Sequence, residues 1–502
     1  MNIGTRRTWV WILFLGVLSF RQVYAVVPNL AVLVDVSGSM AHNDPNGERI
    51  KALRLLVQLI PEGSNFSLWA FATQPEPLIQ LRAVKNADRT HILEHENRID
   101  NHGAWTDIDA ALLDGMHELE KSPSTEPRHL ILLTDGFVEL GHGPEADKAS
   151  RERVWGRTQE ALAQHIHIHT IDLGGKADDA LLRHLSLGSE GRFVSANQDR
   201  LTKAFLQIFD VAAPQQRIPL HGRQFSVDSG IRELTLLLFR PQHKNDPSVE
   251  LQAPDGTRTS FAQHDDSVRW VHTDTYDLMT LAHPAAGVWT ISQDPGADSR
   301  VTILSDLSVQ VSGVPTNMAV GGSLHLKIHV SDKDKVVTDP NVLDLTTISE
   351  VHGGVGQLWP QPSVLYDGPS QGSVMVPDDG IFHEDTQSFD HAGDYVIRVL
   401  LKSPTFMREF DQLMHVTSDT ADLPHPAVRK PVAGKVIPVK TKHVEMPMAI
   451  WKIVVIGLLI ALSSGGLGFV GYVMLHKTLL RMRADRKKLE SAENDEDNDQ
   501  KE

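Results

Sequence analysis

The sequence predicts an α/β doubly wound domain, then two β-sandwich domains and one transmembrane helix, on three observations. Between Val27 and Ala212 short apolar strands alternate with helical stretches, the order a doubly wound sheet requires. Beyond that point helices give way to short Val, Leu, Ile and Thr runs separated by Pro, Gly and Asp turns, the pattern of β-sandwiches. Ile453 to Leu475 is then apolar and uncharged over about 23 residues, roughly 34 Å at helical rise and enough to cross a bilayer core.

In the first domain, Leu30 to Val34, Phe66 to Phe71, Leu130 to Leu133 and Ile166 to Leu173 read as strands. Arg49 to Leu59 carries Ile50, Leu53, Leu56 and Val57 on one helical side, and Ile108, Ala111, Leu112, Met116 and Leu119 repeat at helical spacing after Gly103 to Asp107. Leu181 to Leu187 and Leu201 to Phe209 read as packing helices.

The chemistry lies at the strand ends. Val32 to Met40 runs from an apolar strand into Asp35-x-Ser37-x-Ser39, placing a carboxylate and two hydroxyls at alternate positions on a loop at a strand's carboxyl end. Three oxygens are too few for a divalent ion, so further ligands are needed from neighbouring loops. Thr106, just before a helix, and Asp135, at the end of the buried Leu130 to Leu133 strand and followed by Gly136, would complete the set.

At these five positions the chain resembles the von Willebrand factor A family and its metal-ion-dependent adhesion site. The resemblance implies a Rossmann-like domain over 27–212 in which Asp35, Ser37, Ser39, Thr106 and Asp135 hold a divalent cation, Mg²⁺ first, with Mn²⁺ or Ca²⁺ as alternatives. It also implies that the serines and threonine contact the metal while the aspartates act largely through water. A cation so weakly neutralised stays electrophilic, and the resemblance implies that an Asp or Glu of a protein partner fills its open position. Asp107 departs from the asparagine or small residue often found there. As an extra carboxylate near the ion, outside its direct contacts, it would favour Ca²⁺ or lower the appetite for an acidic ligand.

Residues 213–306 form the first expected β-sandwich, with strands at Ile231 to Phe239, Val249 to Ala253, Val268 to His272 and Gly287 to Ile291, and a Pro254-Asp255-Gly256 turn. Residues 307–416 form the second. There Asp390 to Ile397 resembles the tyrosine corner of immunoglobulin-like domains, with Ile397 where antibody domains carry a cysteine. Thr417 to Met448, rich in Pro and Lys, reads as an extended stalk.

Residues 1–25 have the charged, apolar and small-residue regions of a secretory signal peptide, with Arg6-Arg7 leaving twin-arginine export as a minor option. With the anchor at 453–475 this places the amino-terminal domains outside the cell membrane, periplasmic or extracellular, and a cytoplasmic tail at 476–502. The total lack of cysteine in an exported chain of 502 residues fits a bacterial envelope protein relying on its cores. Gly457, Ala461 and Gly465 sit four apart in the anchor, a spacing that permits helix self-association. The Gly466-x-Gly468-x-x-Gly471 pattern lies inside the anchor with no strand before it, and its nucleotide reading is rejected.

A net charge of −16, from 48 basic and 64 acidic residues, argues against nucleic acid as a partner. His165, His167 and His169 alternate along a predicted strand, and a solvated face explains them better than zinc. Ser37 has no general-base motif beside it, so no catalytic residue is assigned and the chain is read as a non-enzyme. The expectation is a membrane-anchored, metal-dependent protein-binding protein of the cell envelope, serving adhesion or complex assembly. The alternatives are an assembly factor working with an AAA+ ATPase and, further off, a metal-dependent hydrolase.

Overall fold

The computed structural model describes residues 27–423 apart from 123–125, 176, 241–247, 266, 334, 340–342, 344–346, 355–362, 368–378 and 422. The chain divides into two units, Met1–Ala427 and Val428–Glu502, the second wholly outside the described residues. The expected signal peptide, most of the stalk, the transmembrane segment at 453–475 and the tail at 476–502 therefore lie outside them too. Among the described residues no helix is long and apolar enough to cross a membrane.

The amino-terminal domain is built on strands β1 (Asn29–Asp35), β2 (Asn65–Phe71), β3 (Pro75–Ala83), β4 (Arg128–Thr134), β5 (Ile166–Leu173) and β6 (Phe193–Ala196). They form one sheet in the order β3-β2-β1-β4-β5-β6, all neighbours parallel except β2 and β3. Helices α1 (Met40–Asn43), α2 (Glu48–Leu59), α3 (Arg89–Leu93), α4 (Ile108–Glu120), α5 (Pro144–Ala163), α6 (Asp179–Gly188) and α7 (Leu201–Ala212) connect and cover it. All seven residues of β1 are buried, because a central parallel strand is covered on both faces. One face packs Leu30, Val32 and Val34 with Leu53, Leu56, Phe205 and Phe209 of α2 and α7. The other packs Ala31 and Leu33 with Leu112, Met116, Val154, Leu181 and Leu185 of α4, α5 and α6. The chain turns to opposite sides after β1 and β4, which creates a crevice at the carboxyl ends of these two strands.

The rest of the described chain is β-rich. Its strands are β7 (Arg217–Ile218), β8 (Gln224–Val227), β9 (Ile231–Phe239), β10 (Glu250–Gln252), β11 (Arg258–Ser260), β12 (Val268–His272), β13 (Tyr276–Ala282), β14 (Gly287–Ile291) and β15 (Arg300–Ser305). There follow β16 (Leu307–Ser312), β17 (Asn317–Ala319), β18 (His325–Asp332), β19 (Lys335–Val336), β20 (Thr347–Gly354), β21 (Ser363–Asp367), β22 (Ile381–Asp385), β23 (Gly393–Lys402) and β24 (Met407–Thr417).

A core containing Phe225, Leu236, Leu251, Met279, Trp289 and Ile291 lies between the β11-β10-β14-β8 sheet and β9, β12, β13 and β15. A second, containing Val309, Ile328, Phe382, Ile397, Phe410 and Met414, lies between β16, β18 and β22 and the β23–β24 pair. The two cores are not independent blocks. The two-residue β7 pairs with β15 on one side and with β24 on the other, joining both into one 10-stranded sheet. The Tyr395 hydroxyl donates to the His391 carbonyl at 2.9 Å, the back-bond expected of a tyrosine at a sheet corner.

Candidate metal centre

Asp35 ends β1 and is fully buried. Its Oδ1 accepts from the Ser37 amide at 2.8 Å, and its Oδ2 accepts from Thr134 Oγ1 at 2.6 Å, a residue that ends β4. Thr134 Oγ1 in turn accepts from the Gly136 amide at 3.2 Å. Burial pushes the Asp35 carboxyl up from 3.8 to about 6; the Ser37 and Thr134 hydrogen bonds pull against this, and the nearby Asp135 charge adds to it.

Ser37 Oγ and Ser39 Oγ stand 3.0 Å apart, Ser39 Oγ donates to Asp135 Oδ1 at 2.7 Å, and Asn43 Nδ2 donates to Asp135 Oδ2 at 2.9 Å. Thr106 is buried, and its amide and carbonyl exchange bonds with Glu139 at 2.8 and 3.0 Å. A Cβ built on Gly136 would lie 3.7 Å from Thr106 Oγ1 and 4.0 Å from Ser39 Oγ, so the two hydroxyls sit close to the same glycine. The structure thus gathers Asp35, Ser37, Ser39, Thr106 and Asp135 at the β1–β4 crevice. Asp107 serves locally: it caps α4, its Oδ1 accepting from the Ala110 amide at 3.1 Å.

Close backbone approach makes this assembly possible. The Gly103 amide donates to the Val36 carbonyl at 2.9 Å and Gly103 bridges Ser37, so a Cβ there would fall 2.3 Å from Ala72 Cβ and 2.8 Å from the Val36 oxygen. Only glycine fits. Asn43 and Thr134 escaped the sequence reading. Thr134 stands next to Asp135 in the Leu133-Thr134-Asp135-Gly136 run, a usable signal, whereas Asn43 is placed only by the α1 turn.

The donor set fits a small hard cation. It offers oxygen atoms alone, and the 3.0 Å between the serine hydroxyls matches the edge of an octahedron with metal–oxygen distances of about 2.1 Å. Ser37, Ser39 and Thr106 would hold the ion, with Asp35 and Asp135 fixing the hydroxyls and balancing charge. Ser37, Ser39 and Thr106 contribute neutral hydroxyls to this set, and Asp35 and Asp135 are its two carboxylates.

The histidines are arranged otherwise than the sequence implies. His165 is exposed at φ 54° and precedes β5, while His169 is fully buried. His169 Nδ1 accepts from the Arg192 amide at 3.1 Å, which assigns the ring proton to Nε2 and directs it to His129 Nδ1 at 3.0 Å. Burial drives the His169 imidazole down to about 3 and His129 well below the usual histidine range. A packed, neutral pair therefore replaces the solvated strand face, and both His169 nitrogens are committed.

A family profile of the von Willebrand factor type A domain matches residues 29–207. The chain carries a von Willebrand factor type A domain of Rossmann-like α/β form, followed by β-rich sheets. Such domains are usually non-catalytic modules that mediate protein–protein binding, and no enzyme family is found for the chain.

Among solved structures, the chain is similar to the von Willebrand factor type A protein from Catenulispora acidiphila at 15% identity and TM-score 0.31, covering 61% of this chain and 63% of that one. It is also similar to proximal thread matrix protein 1 of the mussel byssus with a zinc-occupied adhesion-site motif, at 16% identity and TM-score 0.31, covering 40% and 51%. A third is the conserved hypothetical protein BatB from Bacteroides thetaiotaomicron, at 12% identity and TM-score 0.29, covering 36% and 98%. The chain thus spans less than two thirds of the length of the first of these structures. A search of curated proteins finds no match.

Proposed function

We propose that this chain is a membrane-anchored, metal-dependent protein-binding protein of the cell envelope. Asp35, Ser37, Ser39, Thr106 and Asp135 hold a divalent cation, Mg²⁺ foremost, and a partner's Asp or Glu completes its coordination. The observation that carries this reading is the chain of oxygens from Ser37 through Ser39 to Asp135, at 3.0 and 2.7 Å, in the β1–β4 crevice. Three hydroxyls and two carboxylates leave a divalent ion electrophilic, so it seeks an external anion. The β modules, immunoglobulin-like in the second, and the Pro/Lys-rich stalk raise this site above the membrane, with the signal peptide directing the domain out of the cytoplasm and residues 453–475 anchoring the chain.

Cross-linking in intact cells tests the reading. Wild-type protein captures partners that Asp35→Ala does not. Identical sets from the two proteins contradict it.

A further inference from the structure

We infer that Trp105 and Phe137 form an aromatic rim that selects, beside the partner's carboxylate, an apolar side chain of the same polypeptide segment. The inference rests on the carboxylate-binding reading above and specifies its partner. In the α/β domain the exposed large hydrophobic residues, among those described, are Trp105, Phe137 and Trp155. Trp155 is accounted for by stacking on His184 at 3.6 Å between ring centroids and by the Arg151 guanidinium at 5.6 Å. The other two adjoin residues of the candidate cation site along the chain. Trp105 directly precedes Thr106, and Phe137 directly follows Gly136, two residues beyond Asp135.

Both aromatics are placed by the same backbone device. The Thr106–Glu139 bridge ties the loop bearing Trp105 to the loop bearing Phe137. Gly141, at φ +72°, lies so close to the indole that a Cβ there would come within 2.2 Å of Trp105 Cε2, so one side of the ring rests on the second loop while the residue stays 37% exposed. Phe137 is 60% exposed, the highest of any exposed large hydrophobic residue described. A soluble surface has little reason to hold two aromatics at one functional crevice unless something covers them. Aromatic side chains around a charged anchor are also the composition of an interface centre.

The occupant to which this surface commits is a protein segment with an Asp or Glu next to an apolar residue. The carboxylate goes to the cation, and the neighbouring side chain lies against Phe137 and Trp105. The continuity of rim and site argues for one segment serving both, since each aromatic adjoins, or lies two residues from, a residue of the site.

The test uses the purified full-length chain with two capped pentapeptides, Gly-Gly-Asp-Gly-Gly and Gly-Gly-Asp-Phe-Gly, titrated with Mg²⁺ and with EDTA. Wild-type protein binds both only with Mg²⁺, the Phe peptide about tenfold tighter, and Phe137→Ser or Trp105→Ser brings the two peptides to within about twofold of each other. Neither variant changes Mg²⁺ uptake or the affinity for Gly-Gly-Asp-Gly-Gly. Phe137 is exposed, so its replacement leaves the fold intact and keeps the test sharp. Equal wild-type affinities, or a preference that survives both variants, overturn the rim while leaving the carboxylate reading standing. Mg²⁺ uptake without binding of either peptide overturns the carboxylate reading and the rim with it. Self-association suppressed by Phe137→Ser but not by EDTA would assign the rim to a second copy and overturn the proposal.

Discussion

Burial sets the titration of Asp35, the carboxylate that ends β1. Its folded pKa of about 6 exceeds the unfolded 3.8, so the folded state holds the proton more tightly. The stability this contributes is fully present below about pH 4 and is lost as pH rises through about 6, a swing of about 3 kcal/mol. A bound cation favours the ionised form and offsets that loss. In EDTA near neutral pH, Asp35→Asn should therefore raise unfolding stability by about 1–3 kcal/mol, with the gain fading towards pH 4. It should also lack the Mg²⁺ stabilisation of wild type. Urea denaturation at both pH values checks this, and a variant less stable than wild type in EDTA at neutral pH would contradict it. The five oxygen-bearing positions were named from the sequence because each stands at or near a strand end or a helix start. Asn43 was not, since its bond to Asp135 spans 92 residues and exists only after the loops meet.

At the scale of elements, the strands with continuous apolar runs were the readable ones: β1, β2, β4 and β5 all follow the pattern of covered parallel strands. β3 and α5 were missed for physical reasons. β3 is an edge strand with two prolines and only Leu78 and Ile79 buried, and α5 buries just Ser150, Val154, Thr158 and Ala161, which leaves no apolar stripe.

Two glycines separate packing from propensity. Gly103→Ala forces a Cβ into Ala72 and the Val36 carbonyl and should cost about 1–3 kcal/mol while weakening Mg²⁺ uptake. Gly156→Ala, in the interior of α5 with open space around it, should instead add roughly 0.5–1 kcal/mol and leave Mg²⁺ uptake unchanged. Denaturation midpoints and Mg²⁺ titration of the two variants distinguish these outcomes, and equal effects would contradict the role given to Gly103.

For the whole described unit, β-rich sheets follow the α/β domain, but the two sandwiches expected as separate domains share a sheet that nothing in the sequence marks. β7 has two residues, too few for any periodicity, yet it completes the shared sheet. Buried ion pairs reinforce the seam. Arg217 bonds Asp210 of α7 and Asp411 of β24, each at 2.9 Å. Arg408, fully buried, holds Asp228 at 2.6 Å and Ser305 Oγ at 2.9 Å, while Arg192 reaches Asp394 at 2.9 Å.

Removing one partner of such a pair strands a buried charge. Arg217→Ala should destabilise the protein by about 3 kcal/mol, the low end of the usual range because Arg300 and Arg398 still serve the two carboxylates. Scanning calorimetry should then resolve the α/β domain from the β modules. An unchanged single transition would show that the seam does not depend on Arg217.

The account turns on a cation held by hydroxyls at the end of β1. Isothermal titration of the full-length protein with Mg²⁺ tests it most directly. Wild type should take up one ion per chain, and Ser39→Ala should bind at least about tenfold more weakly, about 1.4 kcal/mol. No heat of Mg²⁺, Mn²⁺ or Ca²⁺ uptake by wild type, or uptake untouched by Ser39→Ala, would contradict it.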